Sequence, residues 1–201
     1  MERREFLKRA GVGTAVLASF PALADVAWAD DGDDEGGDRR GFIFQALSGQ
    51  AATLGGGETI AMGGCGSFRD SRARGEGVFV HFDGKNLGTP NNVIATGTWR
   101  ARRVLSWKEI GTWGVAVAGI LELAIELRPC GRRPVAATLK IVCNLGPAGI
   151  VNSPFQQEGF TLTVPGLTPF AAFTPNIGLT LFTRDCPGEE DDGEKDDRDD
   201  D

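Results

Sequence analysis

Between Ile120 and Leu145 apolar and polar residues alternate almost one for one, and this limits the fold more than any other feature of the chain. In "GILELAIELRP", Leu121, Leu123, Ile125 and Leu127 fall on one side of an extended backbone, with Glu122, Glu126 and Arg128 on the other. In "VAATLKIVCNL", Val135, Ala137, Leu139, Ile141, Cys143 and Leu145 share a face opposite Thr138, Lys140 and Asn144. A period of two is that of a half-buried β-strand. Two such strands around "CGRRP" form an antiparallel hairpin, in which paired residues lie on the same side of the sheet. An odd loop satisfies this condition. A loop over 130–134 sets Leu127 opposite Ala137 and Leu123 opposite Ile141. The alternation and the two glutamates also argue against a membrane span in "WGVAVAGILELAIEL".

The same pattern extends along the body. Val, Ile, Thr, Phe and Trp cluster in short stretches, with Gly and Pro between them. Strands are expected at 41–48, 58–68, 76–83, 93–107, 117–128, 135–145, 158–164 and 177–184. The intervening "GGG", "DGKN", "PNN", "CGRRP" and "GPAG" read as turns. The expected fold is therefore an all-β domain over 41–187. An antiparallel β-barrel of about eight strands comes first, because closure removes exposed edges. A two-sheet β-sandwich is the alternative. The short stretch "ATGTWRARR" resembles the strands of dirigent and allene oxide cyclase-like barrels, a likeness of a few residues that implies fold and no function.

Charge is distributed unevenly. Residues 30–38, "DDGDDEGGD", hold six acids and no base, and residues 189–201, "EEDDGEKDDRDDD", hold ten acids and two bases. Residues 39–188 hold nine acids against fifteen bases, a net of +6 inside a chain whose overall net charge is −7. Segments 30–40 and 188–201 lack the apolar residues that would offset the entropy of ordering, and both are expected to be disordered. Solvation is their first role, and divalent-cation binding or folding back onto the basic body is the second. Neither matches the calcium loop of an EF-hand.

Ahead of these segments, "RREFLK" at 3–8 resembles the twin-arginine export signal, an address of the form Arg-Arg-x-Phe-Leu-Lys. Glu2 stands where that pattern usually has Ser or Thr. The moderately apolar Ala10–Ala24 that follows is too short and weak for a stable membrane helix, which needs about 20 apolar residues. Ala27-Trp28-Ala29 offers a cleavage exit, with Ala22-Leu23-Ala24 as the alternative. Residues 1–29 are thus read as a signal peptide. The resemblance implies passage through the twin-arginine translocase in the folded state, to a periplasmic, cell-surface or extracellular location.

An exported chain with four cysteines is expected to form one or two disulfides. Cys130 sits in the hairpin turn, while Cys143 lies roughly 30 Å away along the strand. That distance excludes a bond between them. Simple up-and-down strands place Cys65, Cys143 and Cys186 toward one end, so Cys143 is expected to bond Cys65 or Cys186. No CxxC occurs and His81 is the only histidine, so no metal site and no cofactor are expected.

No motif identifies a reaction. His81 and Asp83 share a strand face, yet no nucleophile elbow accompanies Ser67 or Ser71. Glu122 and Glu126 have the residue types of a glycosidase pair but fall on the solvent face. Within "TGTWRARRVLSWKEIGTW", alternation puts Trp99, Ala101, Arg103, Leu105 and Trp107 on one face, and Arg100, Arg102, Ser106 and Lys108 on the other. The second set is a basic surface stripe without interleaved aromatics, which favours an anionic polysaccharide over nucleic acid. In the first set, Arg103 between Trp99 and Trp107 matches a carboxylate-holding residue in a ligand cavity, and the alternative is an internal ion pair or a bulge that turns Arg103 outward. The reading leans to a non-enzymatic domain that binds a small apolar or acidic ligand, or an anionic surface polymer. A structural surface protein assembling through strand edges, and a cyclase or isomerase-type barrel enzyme, are the alternatives.

Overall fold

A computed structural model describes residues 39–51, 57–84, 92–144 and 158–184. The leader, residues 30–38, the whole acidic segment 188–201 and Cys186 lie outside these residues. Eight strands follow one another: β1 (Arg40–Gly49), β2 (Thr59–Arg69), β3 (Arg72–Phe82), β4 (Val93–Trp113), β5 (Ala116–Pro129), β6 (Val135–Cys143), β7 (Gly159–Thr163) and β8 (Ala171–Arg184). All form one antiparallel sheet in the order β4-β3-β2-β1-β8-β5-β6-β7, with β4 also paired to β5. That extra pairing closes a ring of six strands, β1-β2-β3-β4-β5-β8.

The β5–β8 contact consists of two residue pairs, Ala116 with Thr183 and Val117 with Phe182. Beyond them β5 pairs with β6, and β6 with β7. β7 returns to the residue before β8, where Leu162 and Phe170 exchange backbone hydrogen bonds of 2.8 and 3.0 Å. Thr180 is buried where β5 and β8 part, and donates to the Val142 carbonyl at 2.7 Å. Ser48 is fully buried and donates to the Phe160 carbonyl at 2.6 Å. These bonds satisfy hydroxyls that would otherwise be costly to bury.

Each expected strand has a counterpart, but three differ in extent. β3 begins at Arg72, not 76. Arg69 pairs with Arg72 across a two-residue turn, and Asp70 takes the left-handed conformation there (φ 52°), which short polar side chains tolerate. β4 continues to Trp113, and β8 begins at Ala171. The β5–β6 hairpin keeps the expected side of the sheet but is shifted by two residues. Leu127 lies opposite Val135 and Leu123 opposite Leu139. The cause is a tight turn: Arg132 donates its amide to the Pro129 carbonyl, and Gly131 supplies the positive φ of 70°.

The inside of the ring is filled by side chains. Phe42 and Phe44 of β1, Trp99 of β4, Leu121 and Leu123 of β5 and Phe182 of β8 are all 2% exposed or less and belong to one cluster. Trp99 occupies a place that only glycine can leave open. Gly64 and Gly77 face each other across β2 and β3, and Gly77 is paired with Trp99 on β4. A Cβ on Gly77 would stand 2.6 Å from the indole nitrogen and 2.0 Å from the Gly63 carbonyl oxygen. A Cβ on Gly64 would meet the indole ring at 2.4 Å. The indole fills that space and donates Nε1–H to Gly63 O at 3.1 Å.

β4 closes one end. Its pairing with β5 shifts register between Ala101 and Arg103, Val104 and Ser106, and Glu109 and Gly111. Such bulges bend a strand and raise its twist. The bent segment brings Trp107 against Phe68 and Phe182, with centroids 4.9 and 5.0 Å apart. The Arg40 guanidinium lies 5.7 Å over the Trp107 ring, and Glu109 holds Arg40 at 3.1 Å and Arg184 at 2.6 Å.

Gly77→Ala is expected to lower the unfolding free energy by about 1–3 kcal/mol through overpacking. Trp99→Phe is expected to lower it by about 1–3 kcal/mol through loss of the buried bond to Gly63. Urea denaturation followed by circular dichroism checks both, and an unchanged midpoint for either contradicts the packing described.

Candidate functional site

The β2–β3 hairpin ends at the same rim from which β1 starts and where β8 finishes. Arg40 is paired with Phe68 on one side and Arg184 on the other. Around the hairpin tip, Arg39, Arg69, Arg72 and Arg74 line a recess of about 240 Å³, together with Ser67, Phe68 and Ala73. Phe68 and Ala73 belong to or pack on the core, so the floor of the recess is apolar and fixed. Arg72 and Arg74 lie on the outer face of β3 and are exposed. Arg39 donates to Ser67 Oγ at 3.2 Å, which anchors one wall. No carboxylate is among the described residues that line it.

A planar, permanently charged guanidinium binds carboxylates and sulfates through paired N–H donors. Four of them around one recess concentrate positive charge and N–H donors there. The two-residue turn at Asp70 and Ser71 creates this cluster, because it lets Arg72 resume the strand directly opposite Arg69. Starting the strand at 76 hides the relation, since "RDSRAR" then reads as a charged loop. The sequence signal is the density of arginines in 69–74 beside a turn-compatible Asp-Ser pair.

The residues singled out by alternation are separated by the bulges of β4. Trp99 is in the core, 1% exposed. Trp107 is half-buried at the closed end. Arg103 lies on the exposed surface, paired in register with Ala124, and Leu105 is 39% exposed. The expectation that Arg103 and Leu105 share the apolar face is corrected: the shift between Ala101 and Arg103 turns them outward. Trp99, Arg103 and Trp107 therefore do not converge on one cavity.

Arg100, Arg102 and Lys108 are exposed on the outer face. Carboxylates interrupt this stripe. Arg100 sits between its register partners Glu76 and Glu126. Arg102 bonds Glu126, which Arg128 also holds at 2.7 Å. Hydrogen bonds from Arg102, then Arg128, hold the Glu126 carboxyl below its ordinary value. Glu122 accepts from Ser106 at 3.2 Å on the same outer face.

His81 pairs with Glu58 (Nε2 to Oε2, 3.0 Å) and stands edge-on to Phe170. Asp83 accepts instead from Asn92 at 3.1 Å. Ser67 lies seven residues along β2 from Ile60, the partner of His81, a separation of about 23 Å. The described residues thus form no triad around His81. They also hold no cluster of three or more His, Cys, Asp or Glu able to bind a metal ion.

Cys65 and Cys130 are free thiols. The expected Cys65–Cys143 bond is absent because the two lie on opposite faces of the sheet. Cys65 is on the outer face opposite Glu76, while Cys143 is buried in the core and donates to the Thr180 carbonyl at 3.3 Å. A bond to Cys186 falls outside the described residues. Burial, and secondarily the Glu76 carboxylate, push the Cys65 thiol up.

No family model matches the chain, and no curated protein or solved structure matches it.

Iodoacetamide at neutral pH is expected to modify Cys130 first, Cys65 more slowly and Cys143 only after unfolding. Glu76→Gln is expected to accelerate Cys65 alone. Peptide-resolved mass analysis reads all three rates, and early labelling of Cys143 contradicts its placement.

Proposed function

We propose that this chain is an exported, non-enzymatic binding domain that holds an anionic polysaccharide at its arginine-lined end. The ring is read here as a side-chain-filled β-barrel, and export rests on the twin-arginine-like leader. The observation that carries the reading is the convergence of Arg39, Arg69, Arg72 and Arg74 around one recess with an apolar floor.

Two further features support it. The β4–β5 hairpin turns through Gly114 and Val115 at the same end, where Arg184 donates to the Val115 carbonyl at 3.0 Å. Trp113, at the start of this turn, is 66% exposed. An exposed indole gives a broad apolar face with a polar edge, a surface suited to stacking on a sugar ring. The filled interior weighs against a small ligand held inside the ring. The pairing of strand edges around the ring weighs against assembly through those edges.

The test is the affinity for polygalacturonate, measured by titration calorimetry at fixed low salt. The double substitution R72A/R74A is expected to weaken binding at least about tenfold, since a charge-assisted hydrogen bond contributes about 1.5–3 kcal/mol. The charge-matched R132A/R133A, at the opposite end of the sheet, is expected to leave it unchanged. Equal losses in both variants, or no binding by the parent chain, overturn the proposal.

A further inference from the structure

Four neighbouring strands lack the polar and apolar alternation of β5 and β6. β8, β1, β2 and β3 lie side by side and carry "IGLTLF", "FIFQALSG", "TIAMGGCG" and "GVFVHF", runs that are apolar or small almost throughout. Their inward residues, among them Phe42, Phe44, Met62, Phe79 and Phe182, belong to the core. The register sets the outward ones in rows across the sheet. Leu179, Gln45, Gly63 and Val78 form one row, and Leu181, Ile43, Cys65 and Glu76 the next. On the other side of the first row stand Ile177, Leu47, Ala61 and Val80. That row packs with Phe82 and Phe173 in an apolar cluster separate from the core. Strands that are apolar on both faces are the pattern of a sheet covered on both sides. The outer cluster ends at the Leu47–Ala61 row, and Leu179, one row on, is 56% exposed. The outer face of β4 and β5 differs, with Arg100, Arg102, Glu122, Glu126 and Arg128 on it.

We propose that the outer face of β8, β1, β2 and β3 pairs two copies of the chain, sheet against sheet, about a two-fold axis. Charge is the first argument for a second copy. Between Leu179 and Thr183 on β8, and across to β3, the only charged outward residues are Arg74 and Glu76, both on β3 at the edge of the face. A two-fold axis lets such a face meet itself without opposing like charges at its centre. Shape is the second. Two copies share one hand and degree of twist, so their faces stack as the two sheets of a sandwich do, about 10 Å apart. Area is the third. From the Leu179 row to the Thr183, Gly41 and Ser67 row the face is three rows deep and four strands wide, about 20 by 19 Å. Two copies together then cover about 800 Å² of flat sheet, and the side chains standing on it raise the accessible area above that. This is the low end for specific complexes, so the pair is weak and reversible. Both ends of the ring stay open in it, and each pair presents them twice, which strengthens attachment to a repetitive partner without any new contact.

The test is sedimentation velocity of the full chain between about 10 μM and about 1 mM, the range in which a weak pair forms. The unaltered chain is expected to move from monomer towards dimer across it. About 1 M sodium chloride is expected to leave this shift in place, because apolar contacts are not screened. Leu179→Glu, at an exposed position, is expected to weaken pairing at least about tenfold by burying a charge. Leu105→Glu, exposed on the outer face of β4, is expected to associate as the unaltered chain does. A second readout needs no variant: alkylation of Cys65 by iodoacetamide is expected to slow at least about twofold as the dimer fills, with Cys130 unchanged. A chain that stays monomeric throughout the range overturns the proposal. Association that Leu179→Glu leaves intact, that about 1 M salt abolishes, or that leaves the Cys65 rate unchanged, overturns it as well, since each places the contact elsewhere.

Discussion

Trp99 against Gly64 and Gly77 is the contact around which the ring is built. Three consecutive strands meet there. Only the missing side chains of β2 and β3 leave room for an indole between sheet and core. The buried Nε1–H then finds its acceptor on Gly63, so the largest side chain of the core carries no unsatisfied donor. Phe44 follows at 5.7 Å and Phe160 at 5.6 Å from Phe44, which extends the stack across the ring to β7. With the centre filled in this way, the ring presents its chemistry at its ends and outer face.

Those ends differ in charge. One carries Arg39, Arg40, Arg69, Arg72 and Arg184, with Trp113 exposed beside them. The other carries the His81–Glu58 and Asp83–Asn92 contacts and the β5–β6 turn with Arg132 and Arg133. Part of the positive charge at the first end is used structurally. Glu109 ties Arg40 and Arg184 to the bent part of β4, and Arg40 covers Trp107. The arginines of the β2–β3 hairpin surround a recess with an apolar floor instead.

How much of this the sequence disclosed depends on the interaction concerned. Alternation located all eight strands, and the sidedness of the β5–β6 hairpin, because the inward faces of the ring repeat with period two. It failed where the chain departs from that period. The bulges of β4 have no local marker in "RARRVLSW", so strict alternation put Arg103 and Leu105 on the face of Trp99, and a bulge turning Arg103 outward stood only as the alternative. Gly131 shortened the hairpin turn, and the register moved by two residues without changing sides. The glycines of "GGCG" and "RGEGV" carry no local mark of the packing they allow. That they form the floor under Trp99 depends on a β2–β3–β4 register set by residues far apart in sequence. The arginine recess was illegible for a related reason: it exists only because Asp70 lets β3 start at once.

The account depends most directly on a solid interior anchored by Trp99. Hydrogen exchange of the Trp99 Nε1–H, measured against urea concentration, tests this. The account predicts exchange only through global unfolding, with a urea dependence equal to that of the whole domain. Exchange within seconds and independent of urea would contradict it. It would mean an indole that meets water inside the ring, and would return the functional question to an interior ligand cavity.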